Sequence, residues 1–194
     1  MTSTTMRVGV YPGSFNPFTV AHLAIAEAAR EDRNLDRLHL AISRTPLGKD
    51  TVERPTFEHR VQVLAEVVAQ YDWLDLIITS DRLLADIAEG YDLLVMGADK
   101  WHQIHELSFY ADDAARRDAA LGRLPEVAVA PRPPAHTPPE LELDVAKHLG
   151  DVSSTGARNG NTSWMHEVAR RFADRTGAWT DPDRYEAYLA EDHR

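Results

Sequence analysis

A chain of 194 residues, 43% hydrophobic and 27% charged, has the make-up of a compact globular protein with a sizeable core. It contains no cysteine, which excludes disulfides, thiol catalysis and cysteine-ligated metals. A formal net charge of −10 lacks the basic footprint of a nucleic-acid binder, and no apolar run approaches the ~18 residues of a membrane span. The first residues also lack a signal peptide's apolar core. A cytosolic, cytoplasmic protein with neither nucleic acid nor membrane as partner is expected.

Residues 6–11 form a short apolar run that stops at Pro12-Gly13, as a buried strand does. Residues 21–30, rich in alanine with Leu23 and Ile25, predict a helix, and residues 37–43 a second strand. Residues 57–70 repeat apolar side chains at Phe57, Val61, Leu64, Val67 and Val68, a helical period. A third strand follows at 74–79, a short helix at 82–88, and a fourth strand at 92–96 closed by Gly97. Residues 100–122 read as helical with a break near Ser108, and 126–130 as a fifth strand. The proline-dense residues 131–139 read as a stiff surface linker. Helices are predicted beyond it at 153–160, 162–176 and 183–191.

Alternating strands and helices predict an α/β, Rossmann-like, doubly wound parallel five-stranded sheet with helices on both faces. We assign residues 1–160 to this domain and 161–194 to a C-terminal helical tail packed on it. Trp179, Tyr185 and Tyr188 are expected to dock the tail on the body or on another subunit, so a homo-oligomer stays open.

In such a sheet ligands bind beyond the carboxyl ends of the strands. There the segment Gly13-Ser14-Phe15-Asn16-Pro17-Phe18-Thr19-Val20-Ala21-His22 joins the first strand to the first helix, where backbone N–H groups and the helix dipole favour phosphate. Gly13 allows a tight turn with close backbone approach, Thr19 near the N-cap offers a hydroxyl, and His22 falls in the first helical turn. A second anion cradle is Ser153-Ser154-Thr155-Gly156-Ala157-Arg158, hydroxyls opening a helix with a guanidinium one turn on. A lone Ser or Thr at such a place is usually only a cap, and a lone His only a packed residue. Two anion motifs in order on one sheet point instead to a polyphosphate. Arg44, Lys49, Arg54 and Arg60 crowd one stretch and offer a local basic site within an acidic chain. His102, His105 and Glu106 imitate a metal cluster but lack a fourth ligand at motif spacing, and we read them as surface residues or as part of the family resemblance given below.

Residues 13–22 resemble the signature of the nucleotidylyltransferase superfamily: a glycine, an aromatic, a proline and a His-x-Gly-His or Thr-x-Gly-His end at this spacing. Here the end is Thr19-Val20-Ala21-His22, and its Thr form is similar to phosphopantetheine adenylyltransferases. Residues 153–158 resemble the superfamily's Ser-Ser-Thr-x-x-Arg element, which implies a grip on a triphosphate by Ser153, Ser154, Thr155 and Arg158. The stretch Gly97-Ala98-Asp99 with Gln103-Ile104-His105 resembles the Gly-Ala-Asp…Gln-x-His of nicotinate-nucleotide adenylyltransferases, implying adenosine against Gly97 and ribose hydroxyls on Asp99. Two departures stand out. Leu107 occupies the place of the family's aromatic platform, with Trp101, Phe109 or Tyr110 as substitutes, and residues 43–49 match a Pro-Pro-His-Lys element only loosely, leaving Arg44 or Lys49 for the acceptor phosphate.

The resemblance implies transfer of AMP from ATP to a phosphorylated acceptor, nicotinate or nicotinamide mononucleotide, with release of pyrophosphate. It assigns the loop of Gly13, Ser14 and Phe15 to nucleotide binding, His22 to the α- and β-phosphates and Thr19 to a nonbridging oxygen. Ser154, Thr155 and Arg158 take the β/γ end. Mg²⁺ bridges the phosphates on substrate oxygens and water, with no protein ligand set. The alternatives are a phosphopantetheine-type adenylyltransferase, cytidylyl transfer, or a non-catalytic nucleotide-binding regulatory protein. His22 and Arg158 count against the last, since a mere binder can dispense with either.

Overall fold

The computed structural model describes residues 6–44 and 54–192. Strands β1 (Val8–Pro12), β2 (Arg37–Ser43), β3 (Leu74–Thr79), β4 (Leu93–Gly97) and β5 (Glu126–Ala130) form one five-stranded sheet in the order β3-β2-β1-β4-β5. Every pairing in it is parallel. The helices are α1 (Val20–Asp32), α2 (Phe57–Val68), α3 (Leu84–Ile87), α4 (Ala98–Gln103), α5 (Ala114–Leu121), α6 (Ser154–Arg158), α7 (Glu167–Thr176) and α8 (Pro182–Asp192). This is the Rossmann-like α/β fold that the alternation predicts. Among the described residues no helix is long and apolar enough to cross a membrane.

The strands are apolar along their length because both sheet faces are covered, and their alternation sorts side chains between two cores. Leu38, Leu40 and Ile42 of β2 join Leu93 and Val95 of β4 against Ala26 and Ala29 of α1 and Leu64 and Val67 of α2. The intervening Ala41, Leu94 and Met96 meet Ile87 of α3 and Ala98 of α4 on the other face. Phe172 of α7 and Tyr185 of α8 belong to the first core, and Tyr185 is 1% exposed. Burying such a side chain contributes roughly 1.5–3 kcal/mol, so the chain beyond residue 160 is structural, not ornamental.

Strand order reverses between β1 and β4, whose following loops leave in different directions and open a crevice at the sheet's carboxyl edge. Two predicted helical stretches are interrupted for physical reasons, 162–176 unexpectedly and 100–122 near Ser108 as expected. Residues 162–176 do not form one helix: a 3₁₀ turn at Thr162–Trp164 gives way to extended chain at Met165, and α7 begins only after His166. Tertiary pairing overrides helix propensity at that break, since Met165 bridges Thr19 and the His166 N–H donates to Phe18 O at 3.0 Å. Residues 100–122 split into α4, a 3₁₀ turn at Leu107–Tyr110 and α5, with Ala111 and Asp112 left-handed between them. Asp113 then caps α5 through Ala115 and Arg116 N–H.

Candidate active site

The loop between β1 and α1 is fastened by its carbonyls. Ser14 O accepts from Arg60 Nη1 of α2 at 3.2 Å, Asn16 O from Arg158 Nη1 of α6, and Pro17 O from Ser154 Oγ at 2.8 Å. With the Phe18 bond to His166 N–H, this ties the loop to α2, α6 and the start of α7. Peptide C=O and N–H groups point opposite ways across a trans bond, so Ser14's bond to Arg60 turns the Phe15 amide away from α2. Gly13 is required here, because a Cβ would lie 2.7 Å from the Phe15 ring, which folds back over it at φ 43.

Thr19 and His22 form a reciprocal capping box at the start of α1. Thr19 N–H donates to His22 Nδ1 at 3.0 Å, Thr19 Oγ1 lies 2.8 Å from the same nitrogen, and His22 N–H reaches Thr19 Oγ1 at 3.4 Å. An amide can only donate, so Nδ1 is an acceptor and the hydrogen of a neutral ring sits on Nε2. Phe18 stacks on the imidazole with centroids 5.4 Å apart and Phe15 meets it edge-on at 5.3 Å. Its tautomer and its plane are both set by neighbours.

The second predicted cradle folds onto the first. Ser153 caps α6 by accepting from Gly156 N–H at 3.0 Å, Ser154 holds Pro17, and Thr155 Oγ1 accepts from Arg158 Nη2 at 3.2 Å. Gly13, Ser14, Phe15, Thr19 and His22 line the same cleft, of about 1370 Å³, as Ser153, Ser154, Thr155 and Arg158. Gly97 and Asp99, after β4, line it too. Every predicted nucleotide-binding residue therefore meets in one space.

Sequence reasoning missed the far wall of that space. Residues 131–139, expected to be a surface linker, contribute Arg132, His136 and Thr137 to the lining. Arg132 Nη1 stands 3.8 Å from Asp99 Oδ2, the carboxylate expected to meet ribose. His136 O is 2.7 Å from His102 Nε2, which fastens the proline segment to α4. The position was the available signal: Arg132 comes two residues after the end of β5, where this architecture keeps its ligand contacts. Tyr11, buried beside them, is pushed well above the usual phenol pKa by loss of solvent, so it stays neutral.

A second, smaller pocket of about 100 Å³ lies across the loop and shares Pro12, Gly13 and Ser14 with the cleft. It shares Lys100 as well, and its other walls include Arg60, Arg82, Phe109 and Tyr110. Arg60 is 6% exposed, and burial pulls its pKa down against the opposing pull of Glu58. Its Nε is buried without a hydrogen-bond partner. The Tyr110 hydroxyl donates to Ile104 O at 2.8 Å, which fixes its ring. Of the acceptor cations expected from sequence, Arg44 stacks over Phe57 at 4.6 Å and faces Glu58 at 3.7 Å, outside both linings, while Lys49 lies outside the described residues. Leu107 is 36% exposed and lines neither space. Among the described residues, no three His, Asp or Glu side chains gather as a metal-binding group.

Comparison with known proteins gives the family. Residues 10–160 match the cytidylyltransferase-like family. The chain is 26% identical to the probable nicotinate-nucleotide adenylyltransferase of Bordetella pertussis across 96% of both chains, and 29% identical to that of Salinibacter ruber across 95% of both. The phosphopantetheine adenylyltransferase of Carboxydothermus hydrogenoformans is 41% identical over 71 residues, 37% of this chain and 41% of its own. In fold this chain is similar to Plasmodium falciparum nicotinic acid mononucleotide adenylyltransferase complexed with APC, at TM-score 0.57 and 13% identity over 90% of this chain and 98% of that one. With its loop, its capped histidine and its Ser-Ser-Thr-x-x-Arg turn gathered around one cleft, the chain belongs to the cytidylyltransferase-like family and is an adenylyltransferase.

Proposed function

We propose that the enzyme joins AMP from ATP to the phosphate of nicotinate or nicotinamide mononucleotide and releases pyrophosphate, a step in NAD biosynthesis. The observation that carries this reading is the shared wall: Pro12, Gly13 and Ser14 bound both the large cleft and the small pocket. One thin loop thus separates room for a nucleoside triphosphate from a pocket whose cations and aromatic rings suit an anionic, planar acceptor. The relatives named as nicotinate-nucleotide adenylyltransferases also match along nearly the whole chain.

In this reading an acceptor phosphate oxygen attacks the α-phosphorus of ATP in line. The new P–O bond forms as the bond from the α-phosphorus to the bridging oxygen breaks, and that oxygen leaves with pyrophosphate. No side chain acts as nucleophile, so the protein's work is to bring two anions together and to neutralise the charge that grows on the leaving group. His22 donates from Nε2 to the α- and β-phosphates, its Nδ1 being occupied by Thr19. Thr19, expected from sequence to meet a nonbridging oxygen, instead directs its amide and hydroxyl hydrogens to Nδ1 and so orients the imidazole, and Ser153, Ser154, Thr155 and Arg158 take the β/γ end. Gly97 and Asp99 receive the adenosine, which requires Arg132 to share Asp99 with the ribose. Lys100 lines both spaces and supplies positive charge between the two substrates. Arg60 and Arg82 hold the acceptor's anionic groups, and Phe109 and Tyr110 flank its ring. Mg²⁺ would be held largely by the substrate's phosphate oxygens and by water and would supply neutralising charge there; Asp99, Glu142 and Asp144 are the carboxylates of the cleft lining.

Thr19 and the 41% identity over 71 residues favour a second reading, with phosphopantetheine as acceptor. Pyrophosphate release measured with ATP and each of nicotinate mononucleotide, nicotinamide mononucleotide and phosphopantetheine separates the two. We expect one of the pyridine nucleotides to exceed phosphopantetheine in kcat/KM by about a hundredfold or more. Turnover with phosphopantetheine alone would defeat the proposal.

A further inference from the structure

Asn16 is gripped from two sides. Arg158 Nη1 donates to its backbone oxygen, and the indole Nε1–H of Trp179 donates to its side-chain Oδ1 at 2.5 Å. Asn16 is 9% exposed and lines the nucleotide cleft. Trp179 lies in the connection between α7 and α8, beyond residue 160, where the family match ends. No signature motif reaches it.

The chain is bent to make this contact. Gly177 ends α7 in the left-handed region, and its N–H closes on Ala173 O at 2.8 Å. Trp179 is itself left-handed at φ 70, a conformation that bulky residues rarely adopt unless the surroundings impose it. Those surroundings are visible. The Trp179 ring meets Phe172 edge-on at 6.0 Å, and α8 is pinned where the Tyr185 hydroxyl accepts from Thr56 N–H at 2.9 Å and lies 2.6 Å from His59 Nδ1. Arg54 and Glu186 add an ion pair at 2.8 Å. Simple packing would need the ring alone. The strained backbone delivers the indole N–H as well, and that group is a donor with no acceptor capacity. It therefore fixes which way the Asn16 amide faces.

We propose that Trp179 is a positioning residue for the triphosphate loop: its indole N–H orients Asn16, and Asn16 holds residues 13–16 against Arg158 in the shape that receives ATP's phosphates. The role concerns ATP and not the acceptor, so it stands or falls separately from the choice of acceptor.

The test is calorimetric titration of the full-length protein with a non-hydrolysable ATP analogue and with adenosine. The variants are Trp179→Phe, Asn16→Ala, the double variant, and a protein carrying benzothienylalanine at position 179, which keeps the ring shape but has sulfur in place of N–H. Losing the donor is expected to weaken the analogue about fivefold to tenfold while adenosine affinity holds. Asn16→Ala should do the same, and the double variant should be no weaker than Asn16→Ala alone, because both remove one contact. The sulfur isostere decides the matter should Trp179→Phe fail to fold. Analogue affinity within twofold of wild type in the isostere, equal weakening of analogue and adenosine, or multiplied losses in the double variant would each overturn the proposal.

Discussion

The two spaces on either side of the β1–α1 loop are built in opposite ways. The large cleft is closed by chain segments that meet from far apart in sequence, 137 residues for Ser154 with Pro17 and 142 for Arg158 with Asn16. Its motif residues are the loop's main chain and side chains at helix starts held in pairs, His22 with Thr19 and Arg158 with Thr155. The small pocket takes long cationic side chains from α2, α4 and the approach to α3, with aromatic rings from a 3₁₀ turn. A site built on backbone geometry tolerates few sequences and reads as a motif. A site built from long side chains can be assembled in many ways, and no fixed spacing reports it.

If the cleft does the chemistry and the pocket only selects, removing His22 should hurt most and should hurt equally with any acceptor. His22→Ala is expected to lower kcat by roughly a hundredfold or more, since one lost transition-state donor is worth about 2.7–4 kcal/mol. Steady-state turnover with two acceptors checks it. Near-native turnover from the folded variant would show that the imidazole is a capping residue and nothing more, and the contrast between the two spaces would lose its basis.

Arg82 is the matching probe on the other side. Arg82→Ala should raise the acceptor KM about tenfold, as expected for one hydrogen bond to a charged group, and leave the KM for ATP within twofold. Initial rates with each substrate varied in turn give both values. A rise in the KM for ATP instead would mean that the small pocket is part of the nucleotide site and that acceptor binding must be sought elsewhere.

Legibility followed the same division. The strands were readable because a doubly covered sheet needs unbroken apolar runs, and Leu38, Leu40, Leu93 and Leu94 supply them. The cleft residues were readable because Gly13, Thr19 and His22 satisfy local rules of turn and cap within ten residues of sequence. Arg132 was not, because a proline-rich run reads as a linker until β5 is seen to deliver it to the cleft mouth beside Asp99. Arg60 stood out only as one of several neighbouring cations, and nothing local distinguished it from Arg44, which ends on Phe57. The break at Met165 was hidden for another reason: the partner that stops the helix is Thr19, and a helical period carries no information about so distant a strand bridge.

His166 offers the finest test, because it braces the cleft from behind without lining it. Its backbone N–H holds Phe18 O, while its Nδ1 accepts from Val168 N–H at 3.3 Å and caps α7. The other ring nitrogen lies 3.5 Å from the Tyr71 hydroxyl. Burial, partly opposed by Glu167, lowers its pKa below the ordinary 6.5. Protons therefore bind the unfolded chain first as pH falls, and a proton on Nδ1 would also destroy the cap's acceptor. The stability that neutral His166 provides is complete above its unfolded pKa and is lost as pH drops toward its folded value. Asn at this position keeps an oxygen acceptor for the cap and does not titrate. His166→Asn should lie within about 0.5 kcal/mol of wild type at about pH 7.5, and should gain on wild type at about pH 5. Urea unfolding of both proteins at the two pH values gives the difference directly. A stability difference that does not change with pH would mean that His166 is protonated with equal ease folded and unfolded, and that the wall behind the nucleotide cleft is open to solvent.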